Sequence, residues 1–167
     1  LTRGLDVNIT GQYQWKKTDK KTALMYAAEK GHLSCLQTLL DHGALTDLKN
    51  YNGDTALIYA AGNNYPDIVG ELLARQADVN IVNYAEKTAL QIAEEKSNQD
   101  VVRILKAGNN KDNLNKEMIT AAGEGRQRLV QGLITVGADL ETRDDHNNTD
   151  QLSMSFTSVQ RRVMRVW

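Results

Sequence analysis

Three twelve-residue stretches of this chain repeat one another: Lys21 to His32 reads KTALMYAAEKGH, Asp54 to Tyr65 reads DTALIYAAGNNY, and Lys87 to Asn98 reads KTALQIAEEKSN. Thr22, Thr55 and Thr88 therefore recur at one constant interval. A period of that length marks a supersecondary unit that cannot bury its apolar face alone, so successive units must stack along an axis. The length of 167 residues would otherwise suggest one compact domain. The period replaces that expectation with a solenoid.

Each threonine is placed to cap a first helix. A second apolar stretch comes after it: Cys35, Leu36, Leu39 and Leu40, then Ile68, Val69, Leu72 and Leu73, then Val101, Val102 and Leu105. These spacings line one helical face, and on that reading the single cysteine, Cys35, is a small buried hydrophobe. Ala27, Ala28, Ala60 and Ala61 are small enough to let paired helices approach closely. Gly31 suits a helix end and Pro66 a first helical turn. Between units run polar turn segments such as Asn52-Gly53-Asp54.

Period, Ala-Ala pairs, Leu-Leu pairs and the Asp78-Val79-Asn80 tail together resemble the ankyrin repeat. The resemblance implies an all-α ankyrin-repeat solenoid of about five complete or partial units, helix-turn-helix pairs joined by β-hairpin-like loops. The family's signature Pro is replaced by Ala23, Ala56 and Ala89, and its His by Met25, Ile58 and Gln91. Losing that His removes a tie between neighbouring hairpins and implies looser coupling of units. Gly4 to Asn8 reads as the end of an earlier unit, so residues 1–108 form an array of that end plus units starting at 22, 55 and 88.

Unit three departs further, with Glu94 at an Ala position and Lys106 at a Leu position, read as solvated residues closing the stack. Residues 109–114 read as a linker, and residues 115–167 as one more unit followed by a degenerate, truncated one. Lys116, at the register of Thr88, comes five positions too early for a full period. This favours a new array over a continuous one. The chain begins and ends within units, which reads as a piece of a longer protein or a variant ending.

Twenty Lys plus Arg against twenty-one Asp plus Glu give a net charge of −1, which argues against nucleic acid as the partner. No stretch reaches the roughly 18–20 apolar residues of a membrane span. Three histidines, one cysteine, no phosphate loop and no metal-ligand spacing point away from an enzyme and imply no cofactor. His32 and His42 read as structural. Asp144, Asp145 and His146 could ligate a metal, but such polarity is ordinary for a fingertip. Arg161, Arg162 and Arg165 read as a solvated helix face.

The aromatic residues are more informative. Tyr13, Trp15, Tyr51 and Tyr84 fall in the inter-unit hairpins, where exposed aromatics suit partner binding and where packing of hairpin on hairpin is the alternative. Tyr26 and Tyr59, within first helices, read as core. The first hairpin is longer by six residues and carries Trp15, Lys16 and Lys17, the foremost contact candidates. In the family, hairpin tips and first-helix ends form a concave recognition surface. Carried over by register, the resemblance assigns it Asp19, Lys21, Glu29 and Lys30, then Tyr51, Asn52, Asp54 and Asn63, then Tyr84, Lys87, Glu95 and Lys96.

The function implied is a non-catalytic interaction module or scaffold: a protein partner, no membrane, a monomer, and an intracellular location, cytoplasmic or nuclear. A nucleotide- or oligonucleotide-sensing ankyrin domain is the alternative, with aromatics for stacking and Lys17, Lys21 or Lys87 for phosphates. A regulatory ankyrin segment of a larger enzyme is another. The stretch from Leu72 to Asn80 also resembles ankyrin segments hydroxylated on asparagine, which makes Asn80 a modification candidate.

Overall fold

Each repeated threonine starts a helix. α1 (Ala23–Lys30), α3 (Ala56–Gly62) and α5 (Ala89–Glu95) succeed Thr22, Thr55 and Thr88, whose hydroxyls accept the N–H of Met25, Ile58 and Gln91 at 3.2–3.3 Å. In two units the side chain that replaces the family's His returns a bond: Thr22 N–H donates to Met25 Sδ at 3.4 Å, and Thr88 N–H to Gln91 Oε1 at 2.8 Å. Both orphan donors of the turn are thereby satisfied. Second helices α2 (Leu33–Asp41), α4 (Pro66–Ala74) and α6 (Gln99–Ala107) come after tight turns, with Pro66 at the first position of α4. The computed structural model describes residues 6–10, 20–108 and 110–139, which hold eight helices and no strand.

The turns share a conformational requirement that the sequence meets unevenly. Gly31, Asn64 and Ser97, at one register position of successive units, have φ of 75°, 57° and 58°; Gly43 and Gln76 have 84° and 64°; Lys20, Gly53 and Glu86 have 49°, 78° and 59°. Among the described residues, every non-glycine residue in the left-handed region thus stands where another unit places glycine. An L side chain costs about 1–2 kcal/mol there, partly offset on substitution by the extra chain entropy of glycine. Gln76→Gly and Ser97→Gly are each expected to raise stability by about 0.5–1 kcal/mol, read as a higher urea midpoint. An unchanged midpoint would show that these side chains make compensating contacts.

The first helices α1, α3 and α5 stack side by side, and α2, α4 and α6 form a second layer behind them. Between the layers Leu24, Met25, Ala28, Leu57, Ala60, Ala61, Ala89 and Ala93 are buried, so the small residues do admit close approach. The amide of Asn98 reaches back to the carbonyl of Ala61 at 2.8 Å, and Lys96 Nζ to that of Gly62 at 3.0 Å, tying unit three to unit two. Asp6 to Asn8 repeat the unit tail. Asn8 N–H donates to Asp6 Oδ1 at 2.9 Å as Asn80 N–H does to Asp78, and Asn8 Oδ1 accepts Leu45 N–H at 2.8 Å as Asp47 accepts that of Asp78 at 3.1 Å.

Two core assignments need correction. Cys35 is exposed, although Ile68 and Val101 at the same register are fully buried. Those two have a preceding outer helix beside them, whereas α2 is the first outer helix among the described residues. Tyr26 is likewise 41% exposed rather than core, and Tyr59 is half-buried.

At the other end, Gln91 and Glu94 occupy the register of buried Met25 and Ala28 and are themselves exposed. Glu94 pairs with Lys106 at 2.8 Å, both side chains about half in water. The next hairpin accordingly does not continue the stack. α7 (Lys111–Gly123) begins inside the expected 109–114 linker, because Asn110 Oδ1 accepts the N–H groups of Asp112 and Asn113 at 3.0 and 3.3 Å and caps a helix there. α7 packs on α6 and on α8 (Gln127–Val136), and α8 lies against α4, forming a third layer rather than a separate array. Five residues short of a period, the connection has no finger to carry the chain to the next inner position.

The seat of α8 depends on two glycines. A Cβ at Gly70 would lie 2.6 Å from Gly132 Cα and run into the Gly132 carbonyl; a Cβ at Gly132 would lie 2.7 Å from Ile104 Cδ1 and strike the Pro66 carbonyl. At Gly70's register, α2 carries Gln37 and α6 carries Arg103. Of these three outer helices, only α4 has a glycine at this position, and α8 lies closest to it there. The expected degenerate unit, with the Thr142 to Thr149 hairpin, the Asp144, Asp145 and His146 cluster, and Arg161, Arg162 and Arg165, lies outside the described residues.

Candidate functional site

The inter-unit fingers are built around asparagines. Asn50 Oδ1 accepts the N–H groups of Asn52 and Asp54 at 2.9 and 2.8 Å; one period on, Asn83 Oδ1 accepts those of Ala85 and Lys87 at 3.0 and 3.1 Å. Each asparagine thus folds its own finger, the turn chemistry for which this residue type is suited. Neither belongs to the contact surface assigned by register. Their signal in the sequence is an asparagine five residues before Thr55 and Thr88, for which the first unit has Lys17.

The fingers are also bound to one another. Tyr84 N–H donates to the Asn52 carbonyl at 2.9 Å, Asn83 Nδ2 to Asp54 Oδ1 at 2.9 Å, and Lys49 Nζ to the Val82 carbonyl at 3.0 Å. Asn50 Nδ2 donates to the Tyr59 hydroxyl at 2.8 Å, anchoring its finger to α3. These bonds couple the hairpins where the family's His is missing. They hold the backbone and leave the rings outside: Tyr51 is 61% exposed and Tyr84 73%. Lys20 Nζ lies 6.0 Å from the centre of the Tyr51 ring.

Lys21 departs from its assignment to an exposed contact surface. It is only 8% exposed, with Nζ 3.1 Å from Glu29 Oε1, 4.5 Å from the centre of the Tyr59 ring and 5.6 Å from that of Tyr26. Burial alone would lower its pKa, but hydrogen bonds to Glu29 and Tyr59 outweigh it and hold the ammonium above the ordinary lysine range. A raised lysine pKa contributes stability that is complete at neutral pH. That contribution is expected to fade only as pH climbs past about 10.4, the ordinary lysine value, in a titration of the urea midpoint. The equivalent pair in unit three, Lys87 and Glu95, is 2.7 Å apart and more open to water.

Of the other assigned residues, Lys30, Asn52, Asn63, Glu95 and Lys96 are exposed, Glu29 and Asp54 are half-buried, and Asn63 Nδ2 donates to the Tyr59 carbonyl at 2.9 Å. The structure therefore gathers finger residues Tyr51, Asn52, Asp54, Tyr84 and Lys87 into one tied row, with the first-helix residues in repeated register beside it. Trp15, Lys17 and Asp19 lie outside the described residues, as do Tyr13 and Lys16. Asn80 is exposed, its N–H and side-chain amide both donating to Asp78 Oδ1, at 2.9 and 3.2 Å. His42 closes α2 with Nδ1 2.8 Å from the Thr38 carbonyl.

Among the described residues no group of three or more His, Cys, Asp or Glu side chains is arranged to hold a metal, and no helix is long and apolar enough to cross a membrane. No curated protein matches the chain. The family model for ankyrin repeats, three copies, matches residues 1–83. Repeats of this kind generally mediate protein–protein interaction. Over that segment, with caps, left-handed turns and stacked helix pairs recurring at the same period, the chain belongs to the ankyrin-repeat family.

Proposed function

We propose that the chain is a non-catalytic interaction module that grips a protein partner with its finger tips and the adjoining ends of α1, α3 and α5. The observation that carries this reading is the exposure of the Tyr51 and Tyr84 rings on two fingers whose backbones are tied to each other. A large aromatic held on a rigid base loses little entropy when it binds. Charge on this side is mixed, which suits a protein surface: Lys20, Lys30 and Glu86 are exposed, whereas Glu29 and Glu95 are each engaged by a lysine. The nucleotide-sensing alternative is weaker, since Lys21 and Lys87 already face carboxylates.

A Tyr51→Ala, Tyr84→Ala double variant should keep its helix content and its unfolding free energy within about 0.5 kcal/mol, because both rings are exposed. Its affinity for a partner captured by the native chain should fall by about 30-fold or more, the effect of losing a hot spot worth about 2 kcal/mol. Equal capture by the two proteins would assign the tyrosines a merely structural place.

A further inference from the structure

Asn52 and Gly53 are the only Asn-Gly pair in the sequence, and they lie in the tip of the finger that precedes α3. In such a pair the glycine nitrogen can attack the asparagine side-chain amide, because no Cβ crowds the approach. The Gly53 nitrogen forms a bond to Asn52 Cγ, Nδ2 leaves as ammonia with the proton that the nitrogen gives up, and a cyclic succinimide closes. Water then opens the ring. Cleavage at Cγ leaves aspartate; cleavage at the backbone carbonyl leaves isoaspartate, with the main chain rerouted through the side chain. Neither step needs an enzyme, an oxidant or a cofactor.

The fold exposes one reactant and encloses the other. Asn52 is exposed, and its side-chain amide makes no hydrogen bond among the described residues, whereas Asn50 and Asn83 spend theirs on folding their fingers. Gly53 is buried. Its N–H donates to the Asn50 carbonyl at 3.1 Å, and a Cβ there would lie 3.0 Å from Tyr84 Cδ1, so the ring of the next finger covers it. The peptide between the two residues is held as well: Asn52 N–H donates to Asn50 Oδ1 at 2.9 Å, and the Asn52 carbonyl accepts Tyr84 N–H at 2.9 Å. While these bonds persist, the nitrogen keeps its proton and the peptide cannot turn toward the amide. Surface loops open locally at far lower cost than a helical core.

We infer that Asn52-Gly53 is a site of spontaneous conversion to aspartate and isoaspartate, gated by the fingers themselves: slow while Asn50 and Tyr84 enclose Gly53, fast when they release it. The product loosens the tie that restrained it. In isoaspartate the carbonyl that accepts Tyr84 N–H leaves the main chain as a carboxylate, adding a negative charge beside Asp54. This chemistry is the same whatever the fingers bind.

The test is ageing of the full chain at mildly alkaline pH, read by the mass gain of amide-to-acid conversion in proteolytic fragments and by labelling with an isoaspartate-specific methyltransferase. Residue 52 should convert before any other asparagine, and about 10-fold or more slowly than in a synthetic peptide of residues 48–57. Asn50→Ala, which removes both side-chain bonds of the turn, should speed conversion by about 10-fold; Asp54→Ala, which keeps that turn and loses only the bond from Asn83, by about 2–10-fold. In the aged chain the Tyr84 amide should exchange faster. The inference is overturned if another asparagine converts first, if chain and peptide age alike, or if neither variant outpaces the native chain. Unchanged exchange at Tyr84 after conversion would overturn the loosening of the tie.

Discussion

Replacing Gly70 by alanine is expected to destabilise the chain by about 1–3 kcal/mol and to detach α8 from α4, reversing what the substitution does in an ordinary helix. In an exposed helix interior, glycine to alanine gains roughly 1 kcal/mol, because glycine has the greater entropy to lose. Here the new methyl meets the backbone of Gly132, with Cα 2.6 Å away, and backbone cannot step aside as a flexible side chain can. Overpacking of this kind typically costs about 1–3 kcal/mol. The sign is decisive. A urea midpoint that falls, together with faster hydrogen exchange confined to α7 and α8, supports the third-layer seat; a midpoint that rises means α8 does not rest there.

Ile68→Ala is expected to cost about 2–4 kcal/mol, whereas Cys35→Ala, at the same register position one unit earlier, should cost under about 0.5 kcal/mol. Ile68 is fully buried between neighbouring helices, so its removal loses transfer free energy and leaves a cavity. Cys35 faces water, and exposed substitutions seldom exceed half a kilocalorie. One repeat position thus has two energetic values, set by whether another outer helix stands beside it. Similar losses at both positions would place a covering element over Cys35.

The helices are legible in the sequence because their causes are local. Thr22, Thr55 and Thr88 each cap the helix after them, Pro66 begins a helix as its ring geometry favours, and the apolar faces recur at a countable period. Features that depend on a neighbour are not legible there. Cys35 and Tyr26 carry the pattern of buried residues yet lack a preceding helix pair among the described residues. Lys21 looks like a surface charge, and its burial arises from Tyr26, Tyr59 and Glu29 closing over it. The shortfall of five residues before α7 is visible, but its consequence turns on Gly70, a residue whose meaning exists only once α8 is brought against it.

The candidate surface divides along the same line. Finger positions follow from register, since Tyr51 and Tyr84 occupy the same place in successive units and both protrude. The bonds that align the fingers, from Tyr84 to Asn52 and from Asn83 to Asp54, join residues nearly a whole unit apart, and no local pattern announces them.

Hydrogen exchange of the native chain, free and in complex with a partner that it captures, tests the binding face most directly. The account predicts slowed exchange at amides of residues 45–54 and 78–87 and at the ends of α1, α3 and α5, with the outer helices α2 and α6 unchanged. Protection confined to the outer helices, with finger amides exchanging as in the free chain, would contradict it.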